Sequence, residues 1–212
     1  MSRWVIFGVL CVIGGALISF FIVRSSVAIQ KEDADYHIHA DFAVFMNGKQ
    51  FDFAQSRYMA IAPCNSDETH EEGTELADVI HLHDGTGSVV HVHRKGVTYA
   101  DLFKSLQMQL TQQQFVDADG NAFAADDAHQ LIFYLNGERI DDLPVREIHD
   151  LDRMMISYEA KTVPATTIQQ ELGALTSNAC FYSGFCSTRN IPNTETCSKA
   201  KPKPPLLRLL GL

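Results

Sequence analysis

The sequence predicts an α+β fold: an N-terminal transmembrane helix, then a β-hairpin-rich ectodomain with a short C-terminal helix and a disulfide-bearing loop. Three observations carry that prediction. Trp4 to Val23 is an apolar run without a charge. Two Asn-Gly pairs, Asn47-Gly48 and Asn136-Gly137, each sit between segments of alternating or apolar character, the strongest short-range hairpin signal. Three His-x-His pairs, His37/His39, His81/His83 and His91/His93, have the two-residue period of a strand face.

A bilayer core is spanned by about 20 apolar residues, whereas the apolar part of a cleaved signal peptide is about 7–15 long. Residues 4–23 therefore read as an uncleaved signal anchor between Arg3 and Arg24, with cleavage near Ser26-Val27-Ala28 as the rival. Leu10, where lipoprotein processing wants a small residue, argues against lipidation of Cys11. Positive charge on both flanks leaves the orientation open. The cysteines settle the expectation: Cys64, Cys180, Cys186 and Cys197 are disulfide candidates, which places the bulk of the chain in an oxidising, extracytoplasmic compartment. The formal net charge of −9 predicts repulsion from nucleic acid. The expected partner is the membrane, through the N-terminal helix; nothing in the sequence points to a particular protein.

After a polar linker, residues 24–35, the pattern turns to strand. Ile38, Ala40, Phe42, Val44 and Met46 make one face; His37, His39 and Asp41 lie on the other. With Asn47-Gly48 as a two-residue turn, Met46 opposes Lys49, Val44 opposes Phe51 and Phe42 opposes Phe53. Residues 62–75 read as a polar, acidic loop containing Cys64 and His70, and the histidine hairpin runs from about Val79 to Arg94. Thr98 to Asp101 is a capping-box pattern, and Tyr99, Leu102, Phe103 and Leu106 are spaced for a short amphipathic helix. Phe115–Phe123 predicts a small hairpin around Asp119-Gly120, Leu131–Ile140 a second Asn-Gly hairpin, and Met154–Tyr158 a further strand. These elements complete an α+β domain over 36–160, with a β-grasp-like arrangement expected for 79–160. The segment 161–198 follows: Thr166 to Gln169 as a cap, Ile168, Leu172 and Leu175 as a helix stripe, and a loop from Cys180 to Cys197. The tail, 199–212, is basic and proline-rich and is expected to be flexible.

Whether the imidazoles converge depends on one loop. If Gly85-Thr86-Gly87 is a three-residue loop, His81 opposes His91 and all four hairpin histidines share a face. If Asp84-Gly85 is a two-residue turn, His81 opposes Ser88 and the two pairs split between faces. Asp84 and Gly87 suit the first and last positions of a type I turn, with Gly87 left-handed; Asp-Gly also suits the rival turn. Convergence would make His81, His83, His91 and His93 ligands for a transition metal, Zn or Cu, with His37 and His39 as the next candidates. His70, Glu71 and Glu72 could add a further imidazole or a carboxylate. The plain alternative is a half-exposed polar strand face, and a third is a pH-responsive face, because clustered imidazoles repel once protonated.

Other motifs carry less. Asp117-Ala118-Asp119-Gly120-Asn121 lacks the glycine and glutamate positions of an EF-hand loop and reads as an Asp-Gly turn. No Gly-x-Ser-x-Gly and no Cys-x-x-Cys is present, so the sequence assigns no catalytic residue. The functional expectation is a membrane-anchored extracytoplasmic metal-binding module. A thiol–disulfide exchange protein or metal-dependent enzyme is one alternative, and a non-catalytic structural module another.

His37-x-His39-Ala-Asp-Phe, Asn47-Gly48-Lys49, His81-Leu82-His83-Asp84-Gly85, His91-Val92-His93-Arg94-Lys95-Gly96-Val97-Thr98, Asp101-Leu102-Phe103-Lys104-Ser105-Leu106 and Leu151-Asp152-Arg153 resemble an uncharacterised family. Its members are small, histidine-rich, membrane-anchored envelope proteins of candidate-phylum bacteria, often labelled protein-disulfide isomerase. The resemblance covers roughly residues 36–200. It implies the anchored architecture and, because Cys-x-x-Cys is missing here, only a weak redox role.

Overall fold

The computed structural model describes residues 36–59, 76–82 and 85–186. The chain divides into two compact units, Met1–Tyr36 and His37–Leu212, and the fold below belongs to the second. The expected anchor, linker, acidic loop and basic tail lie outside the described residues, as do Cys64, His70, Glu71, Glu72, His83 and Cys197. Among the described residues no helix is long and apolar enough to cross a membrane.

The fold is α+β. Its strands are β1 (Ile38–Met46), β2 (Lys49–Gln50), β3 (Ile80–His81), β4 (Val89–Val92), β5 (Gln109–Leu110), β6 (Gln114–Val116), β7 (Ala122–Ala124), β8 (His129–Leu135), β9 (Glu138–Ile140) and β10 (Arg153–Ala160). The helices are α1 (Leu76–Val79), α2 (Tyr99–Ser105), α3 (Ala165–Ala174) and α4 (Ala179–Tyr182). The main sheet has the order β3-β4-β1-β10-β8-β9, with β2 paired to β1; β5, β6 and β7 form a separate three-stranded sheet. β1 and β10 are parallel and central, and among the described residues every other strand ladder is antiparallel.

The Asn-Gly turns work as read. Asn47 and Gly48 have φ of 52° and 75°, and Asn136 and Gly137 have 54° and 84°, the double left-handed backbone that a two-residue hairpin turn requires. Met46 pairs with Lys49, the Phe51 amide donates to Val44 O at 2.8 Å, and the Phe42 and Phe53 rings lie 5.0 Å apart. The ladder then stops at Gln50, and β4 takes the same edge of β1 from Ile38 to Asp41. The main sheet is not contained within 79–160, the span expected to be β-grasp-like, because β1, at 38–46, lies in its middle.

Both sheet faces are buried, as usual around a central parallel pair. Ala40, Phe42 and Val44 face one core, where Phe53, Phe103 of α2 and Phe115 carry an aromatic chain at centroid spacings of 5.0, 6.4 and 5.3 Å. α2 carries the expected capping box between Thr98 and Asp101 and buries Tyr99, Leu102 and Phe103. On the opposite face Ala43, Phe45, Met155 and Ile132 pack with Ile168 and Leu175 from α3 and its C-cap.

Two local expectations fail. Thr166 to Gln169 does not cap α3; the helix starts at Ala165 behind Pro164, and no side chain caps it. Pro164 takes the N-cap position with an extended backbone and has no side-chain acceptor to offer the first-turn amides. Cys180 is not in a loop but in α4, and the short α1 before β3 has no clear sequence signal.

Candidate metal centre

β3, β4 and β1 are neighbours, and their histidines fall in register. His81 pairs with His91, and His91 pairs with His39 on its other side. Side chains on one rung of a sheet point the same way, so three imidazoles line up across three strands. His37 and His93 form the next row, their rings stacked 4.5 Å apart. Strand alternation had put His37 and His39 on the face opposite Phe42; the same face receives His81, His91 and His93.

The loop question is thereby answered for the register. The observed His81–His91 pairing is that of the three-residue loop, not of the Asp84-Gly85 turn. The glycine chemistry differs from expectation. Gly85, not Gly87, is left-handed, with φ +68°. Gly87 is required for a different reason: a Cβ there would lie 2.3 Å from Ala54 N and 2.6 Å from Phe53 C.

The closest donors are His37, His39 and His91, whose ligand atoms lie within 4.8 Å of one another. Two of these three come from the pair ranked second in sequence. His81 and His93 extend the cluster, with centroids 5.0 Å apart, and His81 lies 6.1 Å from His91. His39 and His91 are buried, at 2% and 0% exposure, and the Nε2 atoms of His39, His91 and His93 are out of solvent. His81 Nδ1 donates to the Ala77 carbonyl at 2.9 Å, so in the neutral ring Nε2 carries the lone pair. His91 Nδ1 lies 3.5 Å from His37 Nε2.

The cover over this cluster comes from the C-terminal segment. The Tyr182 ring sits 5.7 Å from His39 and 5.5 Å from His91, and its hydroxyl lies 3.0 Å from Thr86 Oγ1. Ser183 Oγ lies 2.9 Å from His39 Nδ1 and donates to Asp150 Oδ1 at 2.6 Å. Cys180 and Cys186 form a disulfide, Cα atoms 5.3 Å apart, that closes this segment.

Two residues of the central strands hold the cover in place. Asp41, 1% exposed, accepts the Asn178 and Ala179 amides at 2.8 and 3.0 Å and the Thr176 hydroxyl. Arg153, the partner of Asp41 across the parallel pair, donates to the Thr176 and Leu175 carbonyls at 2.9 and 2.8 Å. One side chain thus satisfies orphan carbonyls after α3 and the other satisfies amides leading into α4.

A second clamp grips His39 from the 149–152 turn. Asp150 Oδ1 accepts the His39 amide at 3.1 Å, and the Leu151 amide donates to His39 O at 2.8 Å. Leu151 has φ +66°, a left-handed backbone costing on the order of 1–2 kcal/mol for such a residue. Asp152 holds the turn by accepting the His149 amide at 2.9 Å, the Tyr99 hydroxyl at 3.0 Å and Asn136 Nδ2 at 2.8 Å. Burial first, and then the facing Asp152 carboxylate, pushes the Tyr99 phenol far up, so it remains a donor.

Asp41, Asp150, Tyr182 and Ser183 were not legible as site residues. Asp150, Tyr182 and Ser183 reach His39 or its neighbours across more than 90 positions, and Asp41, though close to His39 in sequence, acts on Thr176, Asn178 and Ala179; no local motif announces any of these pairings. Asp117 behaves as the sequence suggested: it accepts the Asp119 and Asn121 amides and Asn121 Nδ2, all within 2.9 Å, in an Asp-Gly turn. Among the described residues the one close donor group consists of imidazoles alone. That donor type suits Zn, Cu or Ni better than the oxygen-preferring Ca or Mg. The chain matches no protein-family model, no curated protein and no solved structure.

Proposed function

We propose that this chain is a membrane-anchored extracytoplasmic module that binds Zn or Cu through His37, His39 and His91, with His81 and His93 as adjoining donors. The observation that carries this reading is the convergence of three imidazole donors within 4.8 Å on a buried sheet face. Two nitrogens bound to one Zn at about 2.0–2.1 Å are at most about 4.2 Å apart. A shared ion therefore asks only for small ring movements. Three histidines leave a tetrahedral ion one open position, which His81, His93 or a small ligand could take.

The Cys180–Cys186 disulfide supports an oxidising compartment, and the uncharged run at 4–23 supports the anchor. The sheet order, with its central parallel β1·β10 pair and a helix between hairpins, supports a β-grasp-like description that starts at β1. The resemblance to the histidine-rich envelope proteins fits the same picture.

Elemental analysis and thermal melting of the chelator-stripped full-length protein test the reading. Added Zn²⁺ or Cu²⁺ should raise the melting temperature with about one ion per chain. At free metal a hundredfold above Kd the gain is about 2.7 kcal/mol. No uptake and no shift would leave a structural module. Uptake with hydrolytic or oxidative turnover would favour a metal-dependent enzyme. Cysteines that exchange readily with thiols would favour the exchange reading over a structural disulfide.

A further inference from the structure

We infer that Ser183 and Asp150 form a hydroxyl–carboxylate relay that fixes the tautomer of His39 and so presents its Nε2 lone pair for metal binding. This rests on the metal-binding reading above and assigns a positioning role to two residues outside the donor set.

The inference follows from counting protons. A serine hydroxyl has one hydrogen. Ser183 Oγ lies 2.6 Å from Asp150 Oδ1, and an ionised carboxylate only accepts, so that hydrogen belongs to this bond. Towards His39 Nδ1, 2.9 Å away, Ser183 Oγ then has only lone pairs to offer. The proton between them must be on Nδ1. In the neutral ring that leaves Nε2 deprotonated, and Nε2 is the buried nitrogen. A hydroxyl or carboxylate behind a ligating histidine orients the ring and raises its basicity.

The surroundings keep the relay in place. Asp150 Oδ1 also accepts the His39 amide, so one carboxylate oxygen grips both the backbone and, through Ser183, the ring of the same residue. The neighbouring Leu151 holds a left-handed backbone while donating to His39 O. Backbone strain of this kind gathers where surrounding structure over-determines a position. Ser183 follows α4 inside the Cys180–Cys186 ring, and its amide donates to Ala179 O at 2.9 Å. The order Asp–Ser–His is not that of a hydrolase triad, where histidine sits between serine and acid. The serine here is a spacer between acid and imidazole, not a nucleophile.

The test uses the full-length protein with ¹⁵N-labelled histidine, as wild type, Ser183→Ala and Ser183→Thr. In the metal-free protein the His39 ring should show a protonated Nδ1 and a bare Nε2. Ser183→Ala should mix the tautomers and weaken Zn²⁺ binding about tenfold; Ser183→Thr, which keeps the hydroxyl, should restore both. An unchanged tautomer in Ser183→Ala overturns the relay, as does a lost tautomer with unchanged Zn²⁺ affinity. If the wild type takes up no Zn²⁺ or Cu²⁺, the metal reading fails, while the tautomer measurement still judges the hydrogen-bond order. Should Ser183→Ala misfold, the wild-type tautomer alone decides, because a protonated Nε2 with a bare Nδ1 contradicts the proposed order.

Discussion

His39 and His91 stand directly opposite each other on adjacent antiparallel strands, their rings perpendicular with centroids 4.5 Å apart and both buried. With His37 they bring three ring-nitrogen donors within 4.8 Å of one another.

The five histidines should therefore not contribute equally. His39→Ala and His91→Ala should each reduce Zn²⁺ or Cu²⁺ affinity by two orders of magnitude or so, about 2.7 kcal/mol. His81→Ala, further from the close triad, should cost roughly tenfold or less. Isothermal titration of each variant checks the order; equal losses at all positions would refute it.

Asp41 should be essential to the cover over the site. Asp41→Ala leaves the buried Ala179 amide, the Asn178 amide and the Thr176 hydroxyl without their acceptor. At about 1–3 kcal/mol for each buried group left unsatisfied, a loss of about 3 kcal/mol is expected. Chemical denaturation gives the size. Hydrogen exchange gives the place: protection should fall first in residues 175–186.

Gly87 should tolerate no side chain. An added Cβ would collide with the backbone of Phe53 and Ala54 rather than with a flexible side-chain end. Gly87→Ala should cost about 2–4 kcal/mol, in the range of severe overpacking. Gly85→Ala meets open space but sits at φ +68°, so it should cost only about 1 kcal/mol. Melting of the two variants side by side separates close approach from backbone preference.

Glu171 sets a pH dependence away from the histidines. It is 3% exposed on α3, and its pKa is raised to about 6. Burial is the main cause; repulsion from Glu159 adds to it, and the Ser157 hydroxyl opposes it. Protonated Glu171 is favoured in the folded chain. Its contribution is full below the ordinary value of 4.5 and is lost as pH rises through about 6. Glu171→Gln should therefore stabilise the protein by about 1 kcal/mol at pH 7.5 and make little difference near pH 4. Denaturation at the two pH values reads the sign, and equal effects at both would contradict it.

Much of the local structure was legible in the chain. Asn47-Gly48 and Asn136-Gly137 fixed two hairpins because few residues adopt consecutive left-handed backbones. Thr98 and Asp101 marked the start of α2, and the alternation around His37 and His39 identified the face they share. These features depend on residues within a few positions of each other, where propensity and pattern act directly.

By itself the sequence determined that the His-x-His pairs lie on strand faces and that the hairpin histidines could share one. Only the tertiary structure decided that β1 enters the sheet between β4 and β10, which makes His37 and His39 central instead of auxiliary. It also decided which residues cover them. Asp41 meets Ala179 across 138 positions, and His39 meets Ser183 across 144. Such pairings have no local signature. They follow from burying both faces of a sheet at once, and the apolar pattern of one strand does not say which distant segment will do so.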